Sequence, residues 1–312
     1  MEEKLPNLKD LQFLKINEVN KSITMKRGNW TIKDNLLIPQ GYEFNIYSGT
    51  SIDLINSASI ISYSPIDFIG TVDNPIIIKS SDSSGQGLTI LNAASNSVLK
   101  DVVFKDQSER KKAGIILTGS VTFYESDVKL SNVIFKNNSS EDSLNIIRSN
   151  FEIDKSTFYN TFSDALDVDF GKGEIINSEF YNIGNDGIDV SKSEVKISNI
   201  KMNNIGDKGV SAGENSQVDL KSLQVNKAMI GISMKDNSYF KGDKVQLNFN
   251  NIGIASYQKK PEFGPAVAEL TNISIENSKK SYVIEKRSKF TLDNKLVTPN
   301  AENVYEKIYG KN

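Results

Sequence analysis

Short runs of alternating apolar and polar residues return every 22 positions through the middle of the chain. VTFYES, SLNIIR, ALDVDF, GIDVSK, GVSAGE, GISMKD and GIASYQ begin at Val121, Ser143, Ala165, Gly187, Gly209, Gly231 and Gly253. Their second and fourth residues are mostly apolar: Leu144/Ile146, Leu166/Val168, Ile188/Val190, Val210/Ala212 and Ile232/Met234. Side chains alternate faces along a strand, so these positions point into a core and the first, third and fifth point out. A second apolar column runs Leu130, Ile153, Ile175, Ile197 and Leu220, and a third runs Phe158, Phe180, Met202, Val225 and Leu247. Three inward columns per repeat predict three sheets around one core. A repeat this short is one coil of a solenoid, stacked on its neighbours. Right-handed connections between parallel strands are strongly preferred. The expected fold is therefore all-β, a single-stranded right-handed parallel β-helix.

Asn138, Asn160, Asn182, Asn204, Asn226 and Asn248 keep the same spacing. Asparagine tolerates the left-handed backbone of a tight turn, and its amide can bond the amide one coil away. The six read as one internal ladder. Two insertions break the frame: QSERKKA near 107–113 and QKKPEFG near 258–264. Each is a candidate rim beside a strand face, or a tolerated surface insertion. Residues 28–80 read as the first coils. Helical spacing in 3–16 and 300–309 predicts caps over the exposed ends. The expected division is 1–27 as an N-terminal cap or linker, 28–296 as the β-helix, and 297–312 as a C-terminal helical cap.

Composition narrows the chemistry. Lys and Arg number 37 against 39 Asp and Glu, so no basic field points to nucleic acid. No apolar run is long enough to span a bilayer. The start, MEEKLPNLKD, shows no leader; a removed leader or a longer parent protein would both account for that. Cysteine and histidine are absent. That excludes disulfides, thiol chemistry, Ser-His-Asp triads and histidine-based zinc sites. Carboxylates, Lys, Arg, Tyr or a hard metal ion remain.

The strand repeats, with the earlier run IPQGY…GTSIDL…PIDFIGT…NPIIIKSSD, resemble the pectate-lyase-like superfamily of right-handed β-helices. The chain is also similar to uncharacterised bacterial β-helix domains, some associated with CotH-like proteins. The resemblance covers roughly residues 28–296 and implies the fold. It carries no residue-by-residue catalytic motif. The histidine-dependent polygalacturonase and mannuronan-epimerase sites of that superfamily have no counterpart here. Its calcium-dependent lyases, which hold the ion with acidic residues and use Arg or Lys as base, are nearer in kind.

The outward positions carry the candidate chemistry. The third column runs Phe123, Asn145, Asp167, Asp189, Ser211 and Ser233, and the fifth includes Asp169 and Lys235. Asp142, Asp164, Asp186 and Lys208 precede the strands; Arg148, Phe170 and Lys192 follow them. Coils lie about 4.8 Å apart, so Asp167 and Asp189 stack, with Asp169 beside them. Three readings stand. In the first, Asp167, Asp169 and Asp189 hold Ca²⁺ and an acidic sugar, and Arg148, Lys192 or Lys208 abstracts a proton in elimination or epimerisation. In the second, the face binds a polysaccharide without cutting it, through Asn145, Lys235 and the stacking surfaces Phe123, Phe170 and Tyr257. In the third, the aspartates are structural, and Asp164 and Asp186 cap turns. Aspartate is depleted in strands, which marks Asp167, Asp169 and Asp189 as unusual. The expected partner is an acidic polysaccharide or cell-surface glycan, in a bacterial envelope or extracellular setting. A homo-oligomer and a neighbouring domain stay open.

Overall fold

The computed structural model describes residues 8–112 and 115–310. Two compact units divide the chain, Met1–Phe162 and Ser163–Asn312. Each is a stack of short parallel strands wound around an apolar core.

In the C-terminal unit the repeat becomes a ladder. Leu166 pairs with Ile188, Ile188 with Val210, Val210 with Ile232, and Ile232 with Ile254. All five are fully buried. The second and third apolar columns are buried as well, from Ile175 to Leu220 and from Phe180 to Leu247. Each such side chain contributes about 1.5–3 kcal/mol by leaving water. Next to the core runs a serine ladder. Ser216 Oγ accepts from the Ser193 amide at 3.4 Å, and Ser193 Oγ from the Gly171 amide at 2.8 Å. These hydroxyls satisfy backbone groups where the chain turns between strands. The 258–264 insertion lengthens one step, so Tyr239 pairs with Val267.

The N-terminal unit follows the same plan less regularly. Phe104, Phe135 and Phe158 stack inside it at 5.5 and 4.7 Å between ring centroids. Around the first insertion, Arg110–Lys112 pairs antiparallel with Ile115–Leu117 as a hairpin; Ala113, at the end of that insertion, lies outside the described residues.

Four sequence expectations change. The strand at Val121 steps by 23 rather than 22, since Val121 pairs with Leu144 and Phe123 with Ile146. Phe123 therefore faces the core and is fully buried, while Tyr124 turns outward. The asparagines do not form one internal column. Asn160, Asn182 and Asn204 sit at exposed left-handed corners, with φ of 53°, 55° and 61°. Asn204 donates to Asn182 at 3.0 Å, on the surface. The corner shifts by one residue at each end, to Asn137 and Lys227; Asn138 is buried and Asn226 precedes its corner. The helical spacing of 3–16 yields a 3-10 turn, Leu8–Asp10, and a strand, Leu14–Asn17, that pairs antiparallel with Ser22–Met25; residues 3–7 lie outside the described residues. A strand satisfies the backbone groups of a solenoid edge as a helix cannot.

The fourth change concerns the C-terminal helix, Val304–Tyr309. It packs against Ile230, Ile252, Ala255 and Tyr257. Ala255 and Tyr257 alternate with the inward Ile254 and Ser256, so the helix lies along the outward strand face rather than over a core end. Among the described residues no helix is long and apolar enough to cross a membrane.

Candidate functional site

The outward face of the C-terminal unit gathers carboxylates where consecutive coils present them. Asp167 pairs directly with Asp189, and Asp169 with Ser191. Ahead of the strands, each residue of the Asp164, Asp186, Lys208 column ties to the next. Asp164 Oδ1 accepts from the Asp186 amide at 2.9 Å and from Asn185 Nδ2 at 2.6 Å. Asp186 Oδ1 accepts from the Lys208 amide at 3.0 Å, and the Lys208 ammonium donates to both Asp186 oxygens at 3.1 and 3.2 Å. That ammonium also meets Asp207. Carboxylate oxygens of Asp164, Asp186 and Asp189 lie within 4.8 Å of one another. Lys235 approaches Asp189 at 3.8 Å and donates to Ser211 Oγ at 2.9 Å.

Charge in this cluster does not balance. Asp164, Asp186, Asp189 and Asp207 offer four negative charges; Lys208 and Lys235 offer two positive ones. Like charges this close raise the cost of ionisation. Burial, then the Asp189 charge, pushes Asp164 up. Burial, then Asp189 and Glu214, does the same to Asp169. Burial pushes Asp186 up to about 7, against the pull of Lys208. Burial alone would lower Lys208, but Asp186, Asp207 and Tyr309 outweigh it, so its pKa rises and the ammonium keeps its proton. Lys235 is also raised: Asp189 overcomes its burial.

The 258–264 loop lies beside this face. Asp236 Oδ1 accepts from the Lys259 and Lys260 amides at 2.7 and 2.8 Å. Lys260 pairs with Glu214 at 2.6 Å. Glu285 accepts from the Gln258 amide and from the Val304 amide, joining the loop to the helix start. At the other end of the helix, Tyr309 donates to Asp207 at 2.9 Å, with its ring 5.4 Å from the Lys208 ammonium.

The expected site residues divide accordingly. Asp167, Asp169 and Asp189 share the face, partly exposed. The carboxylates that converge are Asp164, Asp186 and Asp189, however, so the three-aspartate set differs from the expected one in two members. Lys208 is buried in ion pairs and does not suit the role of a base, which must first lose its proton. Lys235 is buried too, facing Asp189. Lys192 is exposed, 4.9 Å above the Phe170 ring, and Phe170 is 45% exposed. Tyr257 is fully buried beneath the C-terminal helix and Tyr305, so it offers no stacking surface. Phe123 is a core residue. Asn145 is buried because the backbone at Gly119 passes against it; a Cβ there would lie 2.8 Å from the Asn145 Cβ. Arg148 is exposed in the N-terminal unit, at a left-handed corner.

Glu214 and Asp236 close the runs GVSAGE and GISMKD, in the same sixth column as Arg148, Phe170 and Lys192, but the column gives them no role. Asp207 and Tyr309 lie outside the runs. Tyr309 reaches the site from 102 residues beyond Asp207 in sequence, on a helix whose spacing is legible but which lies outside the 22-residue repeat.

Stacked parallel coils with three inward columns define a right-handed β-helix. A family model for the right-handed β-helix region matches residues 142–303, and the chain belongs to that family. No curated protein matches the sequence. Among solved structures, the periplasmic alginate epimerase AlgG is similar, with a TM-score of 0.57 at 13% identity, covering 89% of this chain and 78% of its own. The catalytic unit of a GH87 α-1,3-glucanase from Streptomyces thermodiastaticus strain HF3-3 gives 0.50 at 10% identity, covering 86% and 62%. At these identities the likeness is one of fold.

Proposed function

We propose that the outward strand face of the C-terminal unit is a carbohydrate-active site in which carboxylates, rather than lysines, move the proton. One observation carries this reading: Asp164, Asp169, Asp186 and Asp189 lie on two neighbouring coils, and three of them have raised pKa values. Raised carboxyls beside ionised ones are the pattern of acid and base pairs. The similar structures named for alginate and α-1,3-glucan add support, and the periplasmic one supports a bacterial envelope or extracellular setting.

Asp169 is the general acid. It stands partly exposed at the fifth strand position, and burial, then its anionic neighbours Asp189 and Glu214, raise its affinity for a proton. Asp189 is one coil away and two positions back; ladder spacing sets the two Cα atoms about 8 Å apart. Hydrolysis through a water held between the two carboxyls, with inversion, is the outcome where the carboxyl groups keep that spacing. The water oxygen bonds to the anomeric carbon as its proton passes to Asp189. The bond to the leaving oxygen breaks, and that oxygen takes the proton of Asp169. Asp186 and Lys208 are too buried to touch a substrate and position the face instead. The excess negative charge favours a neutral or amino-bearing glycan over a uronate.

The same excess charge favours a second reading, in which Ca²⁺ bridges the face to an acidic sugar. The spacing of Asp164, Asp186 and Asp189 suits an ion with oxygen ligands at about 2.3–2.6 Å. Their capacity suits it less well, because Asp164 Oδ1 and both Asp186 oxygens already accept hydrogen bonds. Lysine-driven elimination has weaker support, given the protonated Lys208 and Lys235.

The test measures reducing ends and unsaturated uronates released from a panel of neutral and acidic polysaccharides, with calcium and with chelator. New reducing ends from a neutral glycan, indifferent to chelator and lost in Asp189→Asn, are expected. Calcium-dependent unsaturated uronate would replace this reading with the second. Saturable binding without release would leave a binding module.

A further inference from the structure

The carboxylate bay closes abruptly on its C-terminal side. Along the third outward column, Asp167 and Asp189 are partly exposed, whereas Ser211, Ser233 and Ala255 are fully buried. Each is covered by an identifiable group. The Lys235 side chain lies over Gly213, where an added Cβ would come within 2.8 Å of its Cε, and its ammonium bonds Ser211. Tyr257 lies within hydrogen-bond distance of the Ser233 hydroxyl, at 3.3 Å. Beyond them the C-terminal helix packs on Ala255, Ile230 and Ile252, and Tyr309 projects from it to Asp207 and Lys208. A chain laid along the strand face from the bay meets Tyr309, seated on Asp207 and the buried Lys208, about one coil from Asp189.

We propose that this site takes the end of a glycan chain, not its interior, with Tyr309 of the C-terminal helix as the stop. The inference rests on the carbohydrate-active reading above and deepens it. Open strand faces admit a polymer from either side. Here the neighbouring coils are filled by the protein's own side chains, so only a terminal sugar and the units behind it fit. The partly exposed groups facing the bay are the Asp167, Asp169 and Asp189 carboxylates, which suit the free hydroxyls of a terminal neutral or amino sugar, while the buried Lys208 and Lys235 hold the stop in place from beneath. Tyr309 is a specificity-determining residue: it touches Asp207 and Lys208 and acts on substrate by excluding the next unit.

The experiment follows viscosity and reducing ends together on the cleaved polysaccharide of the panel, with product sizes resolved over time. Wild-type protein is expected to release one short product from the outset while viscosity holds. Tyr309→Ala removes only the phenol and leaves Val304 in its buried place, and its thermal unfolding reports whether the fold is kept. In that folded variant the viscosity loss per reducing end should rise about tenfold, with a broader range of products. Deleting residues 304–312 should do the same if the truncated chain folds. Random interior cutting by the wild type, or an unchanged product profile in folded Tyr309→Ala, overturns the stop while leaving the carbohydrate reading intact. Neither cleavage nor binding across the panel overturns both.

Discussion

At the residue scale the decisive groups are carboxyls that the fold makes reluctant to ionise. Asp169→Asn and Asp189→Asn each remove one proton-transfer partner, and each is expected to lower turnover by about 10²–10⁴-fold. Asp169→Asn should leave the unfolding temperature nearly unchanged, whereas Asp189→Asn should also lower it, because Lys235 loses the carboxylate it faces. Steady-state kinetics beside a thermal melt checks this. The raised carboxyls also set a pH dependence of stability. Asp164, Asp169 and Asp186 hold their protons more tightly folded than unfolded. Their contribution is full below the unfolded pKa and is lost as pH rises through the folded one. Asp186, pushed up to about 7, places the upper edge of that window near neutrality. The melting temperature should therefore fall between about pH 4 and about pH 7, and Asp186→Asn should flatten the fall. The lowered carboxyls Glu18, Asp82 and Glu214 act in the opposite direction, but they titrate at more acid pH. Lys208 stays protonated throughout and adds no slope.

At the element scale the coil is held by columns. Leu166→Ala should cost about 2–5 kcal/mol, because its fully buried side chain packs beside Ile188 in a core that cannot collapse into the gap. Asn204→Ala should cost about 1–2 kcal/mol, through the left-handed φ of 61° that asparagine tolerates better. Gly187, Gly209, Gly231 and Gly253 form another column, in which a Cβ on each of the first three would lie 2.6–2.7 Å from the next glycine's carbonyl oxygen. Gly209→Ala should thus destabilise by about 1–3 kcal/mol, whereas Gly264→Ala, with ordinary contacts, should be near neutral. Chemical denaturation of the set separates the three mechanisms.

For the molecule as a whole, the repeat is legible where each coil has 22 residues and is lost where a residue is added. From Leu166 to Ile254 the frame placed every inward side chain correctly. At Val121 one extra residue reversed the alternation, and Phe123 moved from the face to the core. The same one-residue drift scattered the asparagines among buried, corner and strand positions, although their spacing in sequence is uniform. The acidic face was legible because Asp167, Asp169 and Asp189 violate strand propensity. Its closure was not, because Tyr309 arrives from a terminal helix with no place in the repeat.

The sequence by itself determined the coil, its three apolar columns and the presence of aspartates on one outward face. Those follow from local alternation and a fixed period, which any stacked strand must obey. Only the tertiary structure decided which carboxylates converge, which lysines are consumed in ion pairs, and where the face is shut. Those depend on distances between side chains far apart in the chain, on one-residue shifts of register, and on a helix docking across strands it never pairs with.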